Sequence, residues 1–441
     1  MADHLDSFNV ARQMIHGPVA TSSPIGPQAV RDLAETDPTV FDQALDALYY
    51  RFASGMFESS SPGLLKRYRD FVEPWITRVG RDSAAFFRGA LDAYETAWTA
   101  GMERVTWGGD PALTQSIAQK LRSGESSSVD PRTLASWLLC GQIESTYCRA
   151  TAGETFATIR RSHHRKLLRR PSWDAGALSY LSETELAEAN GGTIKPRPGA
   201  SWLKLGTTDN PHSLVVSVTP EYFRAYGPAL LFNAQQAPEV DLVILVCTDE
   251  GTASVLSDEA DEYLRALSSF NSQPLPQNLT MLAVETPEWI KDATTYYSCA
   301  RLMAIPDLLK HFDSIYCLDA NAVLRDNPAA FMNKTAHLTI SAPVSTGPLS
   351  ASPWQRFRAD SVVVNQDAAD SEFLTSLLDY IYRGLQTPSS YGLDRNALAY
   401  AMDQTGGADF EPLNQYSKPT MVSEFSRSWI GNFRRHNPVA A

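Results

Sequence analysis

Apolar residues recur along the chain with two different periods, and the change falls near residue 170. Before it they return every three to four positions. Leu45, Leu48, Tyr49, Phe52 and Met56 form one such set, and Phe87, Leu91, Tyr94 and Trp98 another. That spacing lays apolar side chains along one face of a helix. Pro62 and the run Gly108-Gly109-Asp110-Pro111 punctuate these segments, and nothing between them reads as a strand. Residues 1–170 are therefore expected to form an all-α domain. Within it, Ala44-Leu45-Asp46-Ala47 with Gly55-Met56 returns 46 residues later as Ala90-Leu91-Asp92-Ala93 with Gly101-Met102. A third copy is absent, so the echo fits two similar helices of one bundle as well as a stacked repeat.

Residues 171–210 are rich in Pro, Gly, Ser and Thr and read as a connector, with a short helix around Glu183–Ala189. After residue 212 short aliphatic runs alternate with helical segments. The runs are Leu214–Val218, Val240–Val246, Leu279–Val284 and Ser314–Leu318, followed by His337–Ala342 and Ser361–Val364. The helical segments include one through Leu230 and Leu231, one across Tyr296–Lys310, and an amphipathic one carrying Phe373, Leu374, Leu377, Leu378 and Ile381. Runs apolar on both faces fit strands of a parallel sheet covered by helices. The expectation is an α/β domain over residues 211–441, with ligands at the carboxyl ends of its strands.

Composition narrows the partners. The 441 residues are 43% hydrophobic and 20% charged, a globular balance. Fifty acidic against 38 basic residues give a net charge of −12, the wrong sign for a general nucleic-acid binder. No apolar run approaches the roughly 20 residues of a membrane span, and the N-terminus lacks an apolar leader, so a cytoplasmic location is expected. Five cysteines without a C-x-x-C pair argue against a disulfide framework, and Cys247 and Cys317 read as small buried hydrophobes. The eight histidines show no ligand spacing for structural zinc. A basic stretch, Arg160, Arg161, His163, His164, Arg165, Lys166, Arg169 and Arg170, could attract phosphate but reads as a solvated helix face.

The chemistry concentrates between Tyr297 and Met332. Asp319-Ala320-Asn321 closes a buried strand, and a carboxylate there needs a cation, a donor group or an open pocket. Arg301 is a candidate partner, although Asp307 or Glu288 could claim it in a structural ion pair. A hard divalent cation bridging to phosphate is the other candidate. Structural roles compete at each position. Asp319 could be a turn residue satisfied by backbone donors, Asp394 a helix cap, and Tyr222 or Tyr226 a core aromatic.

The order Tyr297, Arg301-Leu302, Pro306, Leu308-Leu309, Tyr316, Leu318 and Asp319 resembles the metal-motif region of GT-A glycosyltransferases. The likeness is to the glycogenin and bacterial galactosyltransferase-like group, family 8. Phe357-Arg358-Ala359-Asp360-Ser361-Val362-Val363-Val364-Asn365 resembles that group's later strand with its entering turn, and Asp394-Arg395-Asn396-Ala397-Leu398 its Asp-Gln helix start. The resemblance covers about residues 212–405 and implies a Rossmann-like domain binding a nucleotide sugar, most simply a UDP-sugar. In that frame Asp319 approaches the metal or ribose, and Arg301 the phosphates. Thr219 and Tyr222 would hold the nucleoside, with Asp249 also on the donor side. Asp360 and Asp394 are the catalytic candidates. A Mn2+ or Mg2+ ion would be held by Asp319, Asn321 and His436. Asn321 stands where the family has a second carboxylate, and the family's C-terminal His with Lys-Pro-Trp is reduced to Ser417-Lys418-Pro419-Thr420. The implied activity is glycosyl transfer to a protein or glycan acceptor, with the helical half recognising the acceptor or a partner, or mediating self-association. The departures favour, as the alternative, a degenerate relative acting as a binding scaffold.

Overall fold

The computed structural model describes residues 10, 11, 13, 14, 27–44, 140–142, 144, 145, 148–161, 173–191, 199–206, 209–320, 324, 326–345, 353–387, 392–416 and 433. The amphipathic sets between Leu45 and Trp98, the 46-residue echo except Ala44, and the basic residues from His163 to Arg170 lie outside them. The chain divides into two compact units. One comprises Met1–Glu185 with Ser345–Arg356, the other Leu186–Val344 with Phe357–Ala441.

In the first unit the described elements include α1 (Pro27–Thr36), α2 (Arg149–Arg161) and a 3-10 turn at Trp173–Ser179. Phe156 and Ile159 of α2 pack with Ala177, Tyr180 and Trp354. The Phe156 ring meets Tyr180 and Trp354 edge-on, at 4.9 and 5.3 Å. Arg160, expected on a solvated face, is instead half-buried. It pairs with Glu185 and donates to the carbonyls of Ala177 and Tyr180. A helix end presents free carbonyls, and a cation placed there finds acceptors before it finds water.

The boundary between the units falls inside α3 (Glu183–Gly191). The second unit holds a sheet of eight strands: β1 (Ala200–Lys204), β2 (His212–Val218), β3 (Asp241–Val246), β4 (Leu279–Val284), β5 (Ser314–Leu318), β6 (Ile340–Ala342), β7 (Ser361–Asn365) and β8 (Phe410–Pro412). Their spatial order is β1-β4-β3-β2-β5-β7-β6-β8. The central four run parallel, as the sequence pattern predicts, but β1 is antiparallel to β4, and β7 is antiparallel to both β5 and β6. Burial on both faces makes β7 read like its neighbours, because apolarity reports burial and not direction. Strand β1 and the 3-10 turn lie within the stretch read as a connector.

Alternate residues of each central strand serve opposite faces. Leu214, Val216 and Val218 join Leu242, Ile244 and Val246 in the larger core, under α4 (Pro220–Gln236) and α5 (Glu250–Asn271). On the other face lie α6 (Ala293–Met303), α7 (Ile305–Leu308), α10 (Glu372–Gln386) and α11 (Leu393–Thr405), and a short helix, α8 (Ala329–Thr335), follows β5; the short helix α9 (Pro353–Arg356) belongs to the first unit. The segment Tyr296–Lys310 is not one helix. Pro306 lacks the N–H that would continue the ladder, and the chain breaks at Ala304 before restarting as α7.

Helices α10 and α11 pack closely at Gly384, where a Cβ would stand 2.3 Å from the Leu393 Cδ1. Leu393 is fully buried, so relieving that contact means shifting its side chain within the packed interior. Gly384→Ala is expected to cost about 1–3 kcal/mol through overpacking, read as a lowered urea midpoint at unchanged slope. An unchanged midpoint would contradict this close packing.

Candidate functional site

Strand order fixes where a crevice can open. From β2 the chain crosses one face through α4 to β3 on one side, and it later returns through α6 and α7 to β5 on the other. Where successive connections leave to opposite sides, the helices diverge and a crevice forms outside the carboxyl ends of the strands. Thr219 follows β2 and Asp319 follows β5, so both stand at this switch point.

Arg301, on α6, reaches this edge from beneath. Its Nη2 lies 2.9 Å from the Asp319 Oδ1 and 3.7 Å from the Asp394 Oδ2, and donates at 2.9 Å to the carbonyl of Ala359. One guanidinium therefore ties together the end of β5, the first turn of α11 and the turn before β7. Asp307, a competing partner by sequence, pairs instead with Lys310, and Arg301 pairs with Asp319 and Asp394. The arginine side chain is only 5% exposed and that of Asp394 11%, whereas Asp319 is 47% exposed. The charge is thus buried at one end and wet at the other. Burial alone would weaken the arginine's hold on its proton, but Asp319 and Asp394 overcome this and raise its pKa. Burial also lifts the Asp394 carboxyl above the ordinary aspartate range, against the pull of Arg301 and Arg395. The Arg301 Nε is buried with no hydrogen-bond partner among the described residues.

Across the sheet, Leu318 of β5 pairs with Ser361 of β7, which puts Asp319 and Asp360 next in line. The Asp319 N–H donates to the Asp360 carbonyl at 3.4 Å. Like charges opposite one another repel, and here each carboxylate has its own arginine: Arg301 for Asp319 and Arg358 for Asp360. The second oxygen of Asp360, Oδ1, is buried without a partner among the described residues.

The remaining candidates stand at the same edge in other work. Thr219 caps α4, accepting from the Tyr222 N–H at 3.1 Å, and Tyr222 stacks on Tyr226 with ring centroids 4.4 Å apart. Asp249 caps α5 after β3, with its oxygens taken by Thr248 and by Thr252. The hydrogen bonds from Thr252 hold its carboxyl below the usual range. Cys247 and Cys317 are buried, and burial pushes both thiols up to about 12. Asn321 and His436 lie outside the described residues. Among the described residues no group of three or more His, Cys, Asp or Glu is placed to hold a metal ion. Asp319 nevertheless keeps one oxygen clear of Arg301, and Mg2+-type ions commonly take one or two carboxylates and complete their shell from substrate phosphates.

The role of Arg358 and of the Ala359 carbonyl was not visible in the sequence. An arginine two residues before an aspartate is a pattern that surface loops produce freely.

Breaking a buried pair leaves an unmatched charge. Arg301→Met is expected to destabilise the fold by about 3 kcal/mol, with part regained in Arg301→Met/Asp394→Leu, measured by urea unfolding. Additive losses would show that the two side chains are not coupled. Because the folded state holds the Asp394 proton more tightly than the unfolded chain, stability falls as pH rises from about 4 through the raised value. Asp394→Asn should lack that part of the decline, and an identical pH profile would remove the assignment.

No protein-family model matches the chain, and no curated protein matches it in sequence. Among solved structures it is similar to mouse xyloside xylosyltransferase 1 in its apo form, at 12% identity and TM-score 0.30, over 46% of this chain and 85% of that one. It is also similar to the glycosyltransferase GlyE of Streptococcus pneumoniae TIGR4, at 14% identity and TM-score 0.29, over 47% and 46% of the two chains. The apo structure of the bifunctional glycosyltransferase WbbM matches at 13% identity and TM-score 0.32, over 76% of this chain and 65% of that one.

Proposed function

We propose that the chain is a glycosyltransferase that binds a nucleotide sugar, most simply a UDP-sugar, at the switch point between β2 and β5. The observation that carries this reading is the half-exposed Asp319 at the carboxyl end of β5, anchored from below by a buried Arg301 that also holds Asp394. The residue order from Tyr297 to Leu398 that resembles family 8, in which Arg301, Asp319 and Asp394 take part, also supports it.

The site's charge indicates how a donor would enter. Arg301 is shared by two carboxylates, so with both ionised the cluster carries one excess negative charge. A bare diphosphate would be repelled. A divalent cation held by the free oxygen of Asp319, with Asn321 and His436 as further ligands, would supply positive charge to the diphosphate leaving group. The protein's own contribution is fixed placement. Arg301 holds Asp319 in one orientation and keeps the entering turn of β7 beside it through the Ala359 carbonyl. Asp360, restrained by Arg358 and with its side chain 20% exposed at the same strand end as Asp319, would orient the acceptor hydroxyl. Asp394, buried and raised, keeps the base of the site compact and sets the guanidinium. Thr219 and Tyr222, at the head of α4 across the crevice, flank the nucleoside, with Asp249 beyond them. The acceptor is a glycan or a protein.

Isothermal titration with a set of UDP-sugars and Mn2+ tests the reading, and no binding by any of them removes it. For a donor that binds, Asp319→Ala should lower donor hydrolysis at least about a hundredfold, the scale of losing one group that stabilises transition-state charge. Unchanged hydrolysis in that variant would refute the role of Asp319.

A further inference from the structure

A different face of α6 looks onto a cavity of about 260 Å³ that the Arg301 cluster does not use. Tyr296, Ala300 and Met303 recur at the spacing of one helix face and line it, while Arg301 projects from another. Leu378 and Tyr382 of α10 form the facing wall, and Val284 and Ala200, at the paired ends of β4 and β1, form the floor. The wall is aliphatic and aromatic, the lining typical of a small-molecule site.

The lip is polar. Asp307 and Lys310 border the cavity and pair with each other at 2.6 Å, with side chains 59% and 69% exposed. Beside them, His311 meets the ring of Trp202 edge-on at 4.6 Å. Trp202 lies two residues from Ala200 and so on the same face of β1, and it is 39% exposed. An apolar hollow thus adjoins one donor, one acceptor and an open indole.

We propose that this cavity binds a neutral amphiphile, its alkyl or aryl body in the hollow and a hydroxyl-rich head, such as a sugar ring, on the lip. Charge complementarity selects the head. An anionic head approaching Lys310 meets Asp307, and a cationic one approaching Asp307 meets Lys310. A hydroxyl-rich head accepts from Lys310 and donates to Asp307, and the C–H face of a pyranose covers the indole of Trp202. The site is independent of the glycosyl-transfer reading, because its test reads amphiphile binding alone.

The test is isothermal titration of the full chain with octyl glucoside below its micellar concentration, against glucose, octanoate and octyltrimethylammonium. Octyl glucoside is expected to bind with one-to-one stoichiometry, and glucose to give no measurable heat. The two charged octyl compounds should bind at least about tenfold more weakly, as should octyl glucoside to Ala304→Phe or Leu378→Trp, each of which fills the hollow from a different wall. Trp202→Ala should weaken it several-fold without disturbing the hollow. Thermal melting of each variant verifies folding, and two fillers are used so that one well-folded variant suffices. Undiminished affinity in a folded filler overturns the cavity assignment, and octanoate binding as tightly as octyl glucoside overturns the neutral head.

Discussion

A single guanidinium sets the geometry of the sheet's carboxyl edge. Arg301 is enclosed by protein, and an enclosed cation persists only where carboxylates and carbonyls surround it. It finds them on three separate elements: Asp319 after β5, Asp394 in the first turn of α11, and the Ala359 carbonyl ahead of β7. None of these could shift far without stranding the charge. The cost of burying Arg301 is thereby converted into a fixed arrangement of the residues around the crevice.

The same arrangement explains the pairing of charges across β5 and β7. Asp319 and Asp360 face one another at the strand ends, where two carboxylates would repel, and each is offset by an arginine of different character. Arg301 is buried and belongs to the frame. Arg358 is exposed and carries a weaker constraint. Asp360 is nonetheless the more enclosed of the two, 20% exposed against 47% for Asp319, and its unmatched oxygen is buried. Asp319, by contrast, is pinned at one oxygen and open at the other.

Much of this was legible in the sequence because burial leaves a compositional trace. The aliphatic runs of β2 to β5 and the apolar spacing of Phe373, Leu374, Leu377, Leu378 and Ile381 identified central strands and a packed helix, all of which the structure contains. Asp319, Arg301 and Asp394 could be named as candidates because charged residues interrupt apolar surroundings at element ends. Their mutual contact was less accessible, since Arg301 and Asp394 are far apart in sequence. Strand direction was not accessible for β7, whose Val362, Val363 and Val364 are buried in either orientation. Thr219 and Asp249 show another limit. A polar residue between strand and helix reads equally as a ligand or a cap, and the structure shows both capping. The grouping of Ser345–Arg356 with the first unit gave no signal in the sequence; among its described residues, Trp354 joins the cluster of Phe156 and Tyr180.

The proposed function places the diphosphate of an activated sugar in the crevice beside Asp319. A crystal structure of the protein saturated with UDP and Mn2+ addresses it directly. The account predicts density for the diphosphate and ion within coordinating distance of the Asp319 oxygen not held by Arg301. A nucleotide bound elsewhere, with Asp319 contacting only Arg301 and water, would contradict it.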